Sequence, residues 1–293
     1  MKNYVIMTDS CIDLPNDLVA KLGLEVIPLT VIIEKKEYKN YPDEREITAI
    51  DFYNLLRSEV VATTSQLSPS DFIEAMTPFL EQGKDILSIS FSSALSGTYQ
   101  SAVVAKNELL KDYPNQKIIT IDSLCASMGQ GLLVTYASNL AKSGKSMDEV
   151  AAWVEANKQS FCHLFTVSDL NHLKRGGRLS AGKAFIGTLI QLKPLLHVSE
   201  KGKLEPIAKA RGRKIALNRM VERVVQTIEN PADQLIYISH GDCLDEALYV
   251  KEQLLKQIDV KEVLINFIGP VIGAHSGLGT LAIFYRGNER TTK

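Results

Sequence analysis

The chain has 293 residues, of which 45% are hydrophobic and 23% charged, and its formal net charge is −1. This composition excludes a disordered or fibrous protein and suffices for one large or two ordinary domains. No stretch approaches the roughly 18 consecutive apolar residues of a membrane-spanning helix, and the first residues lack the pattern of a signal peptide. The four cysteines form no Cys-x-x-Cys pair, which disfavours a disulfide framework and a thiolate metal site. We therefore expect a soluble, cytoplasmic protein without a metal.

Strand-like and helix-like stretches alternate along the first half of the chain. Strands are predicted at YVIMTDS, LEVIPLTVII, DILSISF and KIITID. Helices are predicted at DLPNDLVAKLG, after an N-cap at Ser68 with Pro69 in the first turn, at SGTYQSAVVAKNELLKDY, and at CASMGQGLLVTYASNLAKSG. Ser146 and Glu149 form the capping box of a further helix that runs through WVEANKQSF. This alternation predicts an α/β fold with a mostly parallel sheet and helices on both faces.

The pattern changes at Cys162. A strand CHLFTV and a short helix ending at KRGG are followed by a hairpin that turns at Lys201 and Gly202. A long helix RKIALNRMVERVVQTI, a strand QLIYISH, a helix DEALYVKEQLLKQI and the strands VKEVLINFI and GTLAIFYRG complete the chain. We therefore predict an N-terminal α/β domain over residues 1–161 and a C-terminal α+β domain over residues 162–293.

Positive charge is concentrated in one segment. Residues 172–214 contain eleven Lys or Arg and two Glu, a local balance of +9, which leaves −10 for the rest of the chain. Such a segment favours an anionic partner, and a solvated loop region is the alternative.

The same segment contains a sequence with the spacing of a phosphate-binding loop, at residues 177–183. Ala184 occupies the position of the hydroxyl that would hold magnesium, and the preceding HLKRG is polar instead of a buried strand. Ser180 and Lys183 form a Ser-x-x-Lys pair without the companion motifs of serine penicillin-recognising enzymes. The sequence therefore gives no recognisable motif for ATP chemistry or covalent catalysis.

Hydroxyl side chains follow predicted strands in two places, at residues 63–66 and 92–98. Loops after the carboxyl ends of parallel strands converge on a ligand crevice, where a helix N-terminus attracts anions. Gly97 would permit close approach of the anion because it has no Cβ. These residues predict a carboxylate or phosphate site, although Ser and Thr are also ordinary helix caps.

A third cluster, at residues 269–279, contains four glycines around His275 and predicts a tightly folded loop before the last strand. The imidazole of His275 could donate a hydrogen bond to an anion, or add positive charge when protonated. A structural histidine is the alternative.

Six motifs occur together in a fixed order. They are TDSCIDLP, TSQLSPSDF, SISFSSALSGTYQSA, HLKRGGRLS, LKPLLHVSEKGKLEPIAKARGRKIAL and GPVIGAHSGLGTLAIFY. In this combination the sequence resembles the DegV family of bacterial fatty-acid-binding proteins over nearly its whole length. The resemblance implies two α/β domains with one long-chain fatty acid between them as the ligand, and no other cofactor. It also implies that the chain is the acyl-carrying subunit of a fatty acid kinase, not an enzyme itself: it presents the carboxylate to a separate ATP-dependent kinase protein and then holds the acyl-phosphate.

Carried over by motif, the carboxylate contacts are Thr64, Ser96, Gly97 and His275. The kinase contacts are assigned to arginines of the RGGR and ARGRK runs, namely Arg175, Arg178, Arg211 and Arg213. The tail could lie against residues 185–192, for which an ordinary buried helix is the alternative. The resemblance leaves room for transient contact with a membrane surface.

Two other functions remain as alternatives. The first is a serine-dependent lipid hydrolase with Ser96 as nucleophile and His275 as base. The second is nucleic-acid binding through the basic segment, which is disfavoured because Phe185 is its only aromatic residue. We therefore expect no nucleic-acid partner.

Overall fold

The structure, a computed structural model, describes residues 4–179, 192–288 and 290. The helices are α1 Asn16–Leu22, α2 Ala49–Arg57, α3 Pro69–Glu81, α4 Thr98–Asp112, α5 Met128–Lys142, α6 Met147–Asn157, α7 Asn171–Arg175, α8 Arg213–Thr227, α9 Leu244–Leu255 and α10 Pro270–Ser276. The strands are β1 Tyr4–Asp9, β2 Leu24–Ile27, β3 Thr30–Ile33, β4 Lys36–Lys39, β5 Ala62–Ser65, β6 Asp85–Ser90, β7 Ile118–Asp122, β8 Phe161–Thr166, β9 Leu192–Val198, β10 Leu204–Arg211, β11 Leu235–His240, β12 Glu262–Phe267 and β13 Leu281–Arg286. Within these residues, no helix combines the length and the apolar character that crossing a bilayer requires.

The first sheet has the strand order β2-β1-β6-β7, and all of its pairings are parallel. Its central strand β6 is buried over five of its six residues, as a strand covered on both faces should be. The helix α3 begins at the predicted N-cap Ser68, which forms a capping box with Asp71, and α6 begins with the predicted capping box of Ser146 and Glu149. The predicted α/β fold class with a parallel sheet is confirmed.

The second sheet is mixed, with the order β10-β9-β8-β13-β11-β12. The hairpin between β9 and β10 turns at Gly202, which adopts a φ of +71°. Helices α8 and α9 pack against one face of this sheet and form a hydrophobic core with it. Helix α5 packs against β8, β11 and β13. One apolar core joins α5 and the first sheet to Phe165 and Phe284 of the second sheet.

Four local predictions were wrong in their boundaries or type. The strand predicted over LEVIPLTVII is two strands, because Pro28 lacks the N–H needed to continue a ladder and β3 pairs with β4 and β5 in a separate antiparallel sheet. The loop predicted to contain residues 63–66 is mostly strand, because residues 62–65 form β5. The helix after Ser146 ends at Asn157, short of the predicted Phe161. Residues 270–276, predicted as a loop, form α10.

The helix α10 forms in spite of its glycines. Pro270 stands at its first position and Gly277, with a φ of +78°, at its end, the usual placement of these two residues at helix termini. A Cβ on Gly273 would lie 2.7 Å from Phe52 Cε1 and 2.8 Å from Tyr53 Oη. Gly273 therefore lets α10 approach α2 closely, and this packing fixes the position of the residues at the end of α10.

Candidate functional site

A cavity of about 320 Å³ lies between the two larger sheets and α10. Much of its wall is apolar, formed by residues of both halves of the chain that include Leu29, Phe91, Leu95, Phe165, Leu173, Val198, Leu204, Ile268, Val271, Phe284. Its polar residues include Thr64, Ser96, Arg178 and His275, which we call the polar cluster. Ser65 and Gln66, which border the cluster, are exposed. The polar cluster therefore lies where the cavity reaches the surface.

The centre of the polar cluster is a contact between two elements that are far apart in sequence. Thr64 Oγ1 on β5 lies 2.7 Å from His275 Nε2 in the last turn of α10. Burial, together with the nearby positive charge of Arg178, lowers the pKa of His275 to about 4. The imidazole is therefore neutral near pH 7. It acts as a hydrogen-bonding group, and the cationic role considered from the sequence does not apply at that pH.

The imidazole of His275 also lies against Gly176, in the glycine turn after α7. A Cβ on Gly176 would lie 2.2 Å from His275 Nδ1, so no larger residue fits here without moving the ring. Gly176 has a φ of −71°, which any residue can adopt. The glycine is therefore needed for space and not for its backbone freedom.

Ser96 and Gly97 lie at the start of α4, as predicted from the strand-to-helix pattern. Ser96 Oγ lies 3.0 Å from Thr98 Oγ1 and accepts a hydrogen bond from the Thr98 N–H. The Gly97 N–H donates to Gln66 Oε1 at 2.9 Å. A Cβ on Gly97 would lie 2.5 Å from that oxygen. Gln66, to which the sequence gave no role, thus occupies the backbone donor that was predicted to meet an anion.

The four arginines assigned to a partner have different surroundings. Arg178 lines the cavity, where its Nε donates to Leu95 O at 3.0 Å and its Nη1 donates to Gly176 O. Arg213 binds the Glu246 carboxylate through Nε and Nη2 and also donates to Gly279 O. Arg175 and Arg211 are exposed. Arg175 Nη2 also lies 3.0 Å from His172 Nδ1, a contact at the surface. Arg175 and Arg211 are therefore open to a partner, whereas Arg178 and Arg213 are held by contacts inside the fold.

The polar cluster lacks the geometry of a serine hydrolase. His275 Nε2 is hydrogen-bonded to Thr64, and Ser96 Oγ is hydrogen-bonded to Thr98. A nucleophile and its base normally lie within hydrogen-bond reach of each other. In the part of the chain that the structure describes, no group of three or more His, Cys, Asp or Glu could hold a metal ion. Ser180, Lys183 and the tail-lining candidates at positions 185–191 lie outside the described residues.

The sequence matches a family model described as "Uncharacterised protein, DegV family" over residues 3–288. A DegV domain-containing protein of Clostridium perfringens is 45% identical over 290 residues, which is 99% of each chain.

Solved structures of related proteins share the fold over the full length. A DegV family protein from Thermus thermophilus, described by its fatty acid binding, has a TM-score of 0.88 at 33% identity, with 98% of this chain and 100% of that chain covered. DegV of Bacillus subtilis, described as a fatty acid binding protein, has a TM-score of 0.84 at 30% identity, with the same coverage. The predicted family is confirmed: this chain belongs to the DegV family.

Proposed function

We propose that this protein binds one long-chain fatty acid in the cavity, with the carboxylate at the polar cluster and the acyl chain against the apolar wall. The observation that supports this most directly is the contact between Thr64 and His275 at the surface end of an otherwise largely apolar cavity. The walls come from both residues 1–161 and residues 162–293. We propose that these are the two domains and that the acyl chain lies between them.

The energetics of such a ligand suit this cavity. Each buried methylene contributes about 0.8 kcal/mol, so a dozen methylenes contribute about 10 kcal/mol before the costs of ordering. A carboxylate at the rim needs hydrogen-bond donors, because its desolvation is costly. Thr64 and His275 already share one hydrogen bond, so when the neutral imidazole donates from Nε2 to Thr64 Oγ1, the hydroxyl hydrogen of Thr64 stays free for the carboxylate. The Ser96 hydroxyl is a second donor, and Arg178 supplies a positive charge nearby. The Gly97 N–H can join them when Gln66 releases it.

The identity of the ligand can be tested directly. Mass spectrometry of lipid extracted from the denatured, purified protein should find one long-chain fatty acid per chain. Protein that contains no fatty acid and does not bind added fatty acid would contradict the proposal.

The carboxylate contacts are tested by Thr64→Val and Ser96→Ala. Each removes one hydrogen bond to a charged acceptor, which should weaken fatty-acid binding by about 1.5–3 kcal/mol. Isothermal titration of lipid-free protein measures the loss. Thr63→Val is the matched control for Thr64→Val, because Thr63 precedes it on β5 with its side chain on the other face, and Thr63 is exposed. Equal losses in Thr63→Val and Thr64→Val would contradict the assignment.

We propose further that a separate ATP-dependent fatty acid kinase protein phosphorylates the bound carboxylate and that this chain holds the acyl-phosphate. The support is the position of the polar cluster at the surface and the concentration of positive charge at residues 172–214. A basic surface steers an acidic partner towards the site. The two exposed arginines, Arg175 and Arg211, are the docking residues of this proposal.

Charge reversal separates docking from ligand binding. We expect Arg175→Glu and Arg211→Glu to retain fatty acid and to raise the apparent KM of the kinase for this protein, with a smaller defect at higher salt because salt screens the exposed charges. Lys111→Glu is the control, because Lys111 is exposed and lies outside the basic segment. Arg213→Glu should instead destabilise the fold, because it places a second carboxylate beside Glu246. Unchanged kinetics in both Arg175→Glu and Arg211→Glu would contradict the docking role.

A further inference from the structure

Four further hydroxyl side chains line the cavity, and they are more deeply buried than Thr64 and Ser96 of the polar cluster. We call Ser127, Ser239, Ser276 and Thr280 the hydroxyl patch. None of the four is more than 5% exposed. An apolar acyl chain needs none of these groups, so they require an explanation beyond fatty-acid binding itself.

Hydrogen bonds join the members of the patch into two pairs. Ser127 Oγ donates to Asp13 Oδ2 at 2.6 Å, and Ser239 Oγ lies 3.1 Å from Ser127 Oγ. Because the single hydrogen of Ser127 is directed at Asp13, Ser239 is the donor in the second bond. Thr280 Oγ1 donates to the backbone oxygen of Ser276 at 2.8 Å. The oxygens of Ser239 and Thr280 therefore keep free lone pairs on the cavity wall.

Ser276 completes the patch with an unused group. Its Oγ is buried and has no hydrogen-bond partner. Buried polar side chains are nearly always hydrogen-bonded, and an exception at a cavity wall indicates a partner supplied by the occupant. Ser276 offers a donor, and Ser239 and Thr280 offer acceptors. A hydroxyl group, which both donates and accepts, satisfies the two kinds of atom together.

The backbone at Ser127 supports a functional reading of the patch. Ser127 precedes α5 with a φ of 51° and a ψ of −146°, a conformation that non-glycine residues rarely adopt. Such strain persists where the surrounding structure fixes it, here through the bonds of Ser127 to Asp13 and Ser239.

We propose that this cavity selects long-chain fatty acids that carry a hydroxyl group on the acyl chain, with Ser276 donating to that hydroxyl oxygen and Ser239 or Thr280 accepting its hydrogen. The inference rests on the proposed fatty-acid binding and narrows its substrate class. A saturated chain places methylenes against these atoms and leaves them unpaired. A site built to bind a hydroxyl discriminates against the analogue that lacks it for this reason.

The test compares stearic acid with hydroxystearic acids whose hydroxyl lies beside the carboxylate, at mid-chain or towards the methyl end. Lipid-free protein is titrated with each, and the affinities are compared. We expect one positional isomer to bind about tenfold more tightly than stearic acid, the size of one well-placed buried hydrogen bond. Ser276→Ala should bring the two affinities to within about twofold while leaving stearic acid binding intact, and Ser239→Ala should reduce the difference in the same direction.

Ser88→Ala is the matched control. Ser88 Oγ on β6 is also buried without a partner, but Ser88 does not line the cavity. This variant should keep the full preference for the hydroxylated isomer. Tight binding of stearic acid with no preference for any isomer would overturn the inference alone. Failure of every fatty acid to bind would overturn the proposed function and this inference with it.

Discussion

Gly176→Ala is expected to weaken fatty-acid binding by about 3–5 kcal/mol, through a residue that need not touch the ligand. The new methyl group would lie 2.2 Å from His275 Nδ1, so the ring must move by about 1 Å to reach an ordinary contact distance. That movement breaks the hydrogen bond between His275 and Thr64. Two of the proposed carboxylate contacts are then misplaced together, each worth about 1.5–3 kcal/mol.

A double-mutant cycle identifies the cause of the Gly176→Ala effect. In a His275→Ala background the added methyl group meets the space that the ring has left, so Gly176→Ala should cost less than about 0.5 kcal/mol of further binding energy. Isothermal titration of the four proteins supplies the cycle. The same loss in both backgrounds would show that the effect does not pass through His275.

Gly177→Ala is a second control at the neighbouring position. Gly177 has a φ of +67° and nothing within 4 Å of the Cβ position. Its substitution should cost about 1 kcal/mol of folding stability through backbone strain, with little effect on binding. Gly176→Ala and Gly177→Ala thus have opposite expected profiles, which chemical denaturation and ligand titration together distinguish.

Local patterns predicted most of the fold, because the responsible forces are local. The N-cap at Ser68 and the capping box at Ser146 use contacts within four residues, and both formed as predicted. The separate sheet of β3, β4 and β5 was not predicted, because it depends on the pairing of Val31 with Thr64, which are distant in sequence. Such long-range pairing leaves no signal in a short window of sequence.

The site shows the same division. The motifs named Thr64 and His275, and the structure places them 2.7 Å apart. The role of Arg213 was beyond sequence reasoning, because its carboxylate partner Glu246 comes from another helix. The hydroxyl patch was missed for a related reason: a serine before α5, one on β11 and one at the end of α10 carry no common motif and meet only in the folded chain.

The residue with the largest expected effect on stability is Arg290, near the end of the chain. It is only 3% exposed. Its Nη2 donates to Leu124 O at 2.7 Å and to Ser199 O at 2.9 Å, and its Nη1 donates to Lys158 O at 3.1 Å. These carbonyls belong to the connection before α5, the segment before β8 and the turn of the β9–β10 hairpin. One guanidinium therefore ties three separate segments together.

Arg290→Ala should lower the free energy of unfolding by about 3–5 kcal/mol, because it leaves several buried carbonyls without a donor and opens a cavity. Arg290→Lys keeps the charge but cannot span the carbonyls with a planar fork, so most of the loss of stability should remain.

Arg45→Ala is the control. Arg45 pairs with Asp43, but its side chain is 62% exposed, so the change should cost less than about 1 kcal/mol of stability. Equilibrium unfolding in urea measures all three. If Arg290→Ala lowers the free energy of unfolding no more than Arg45→Ala does, the three segments hold together without the guanidinium. The hydrogen bonds of Arg290 would then result from the fold and would not stabilise it.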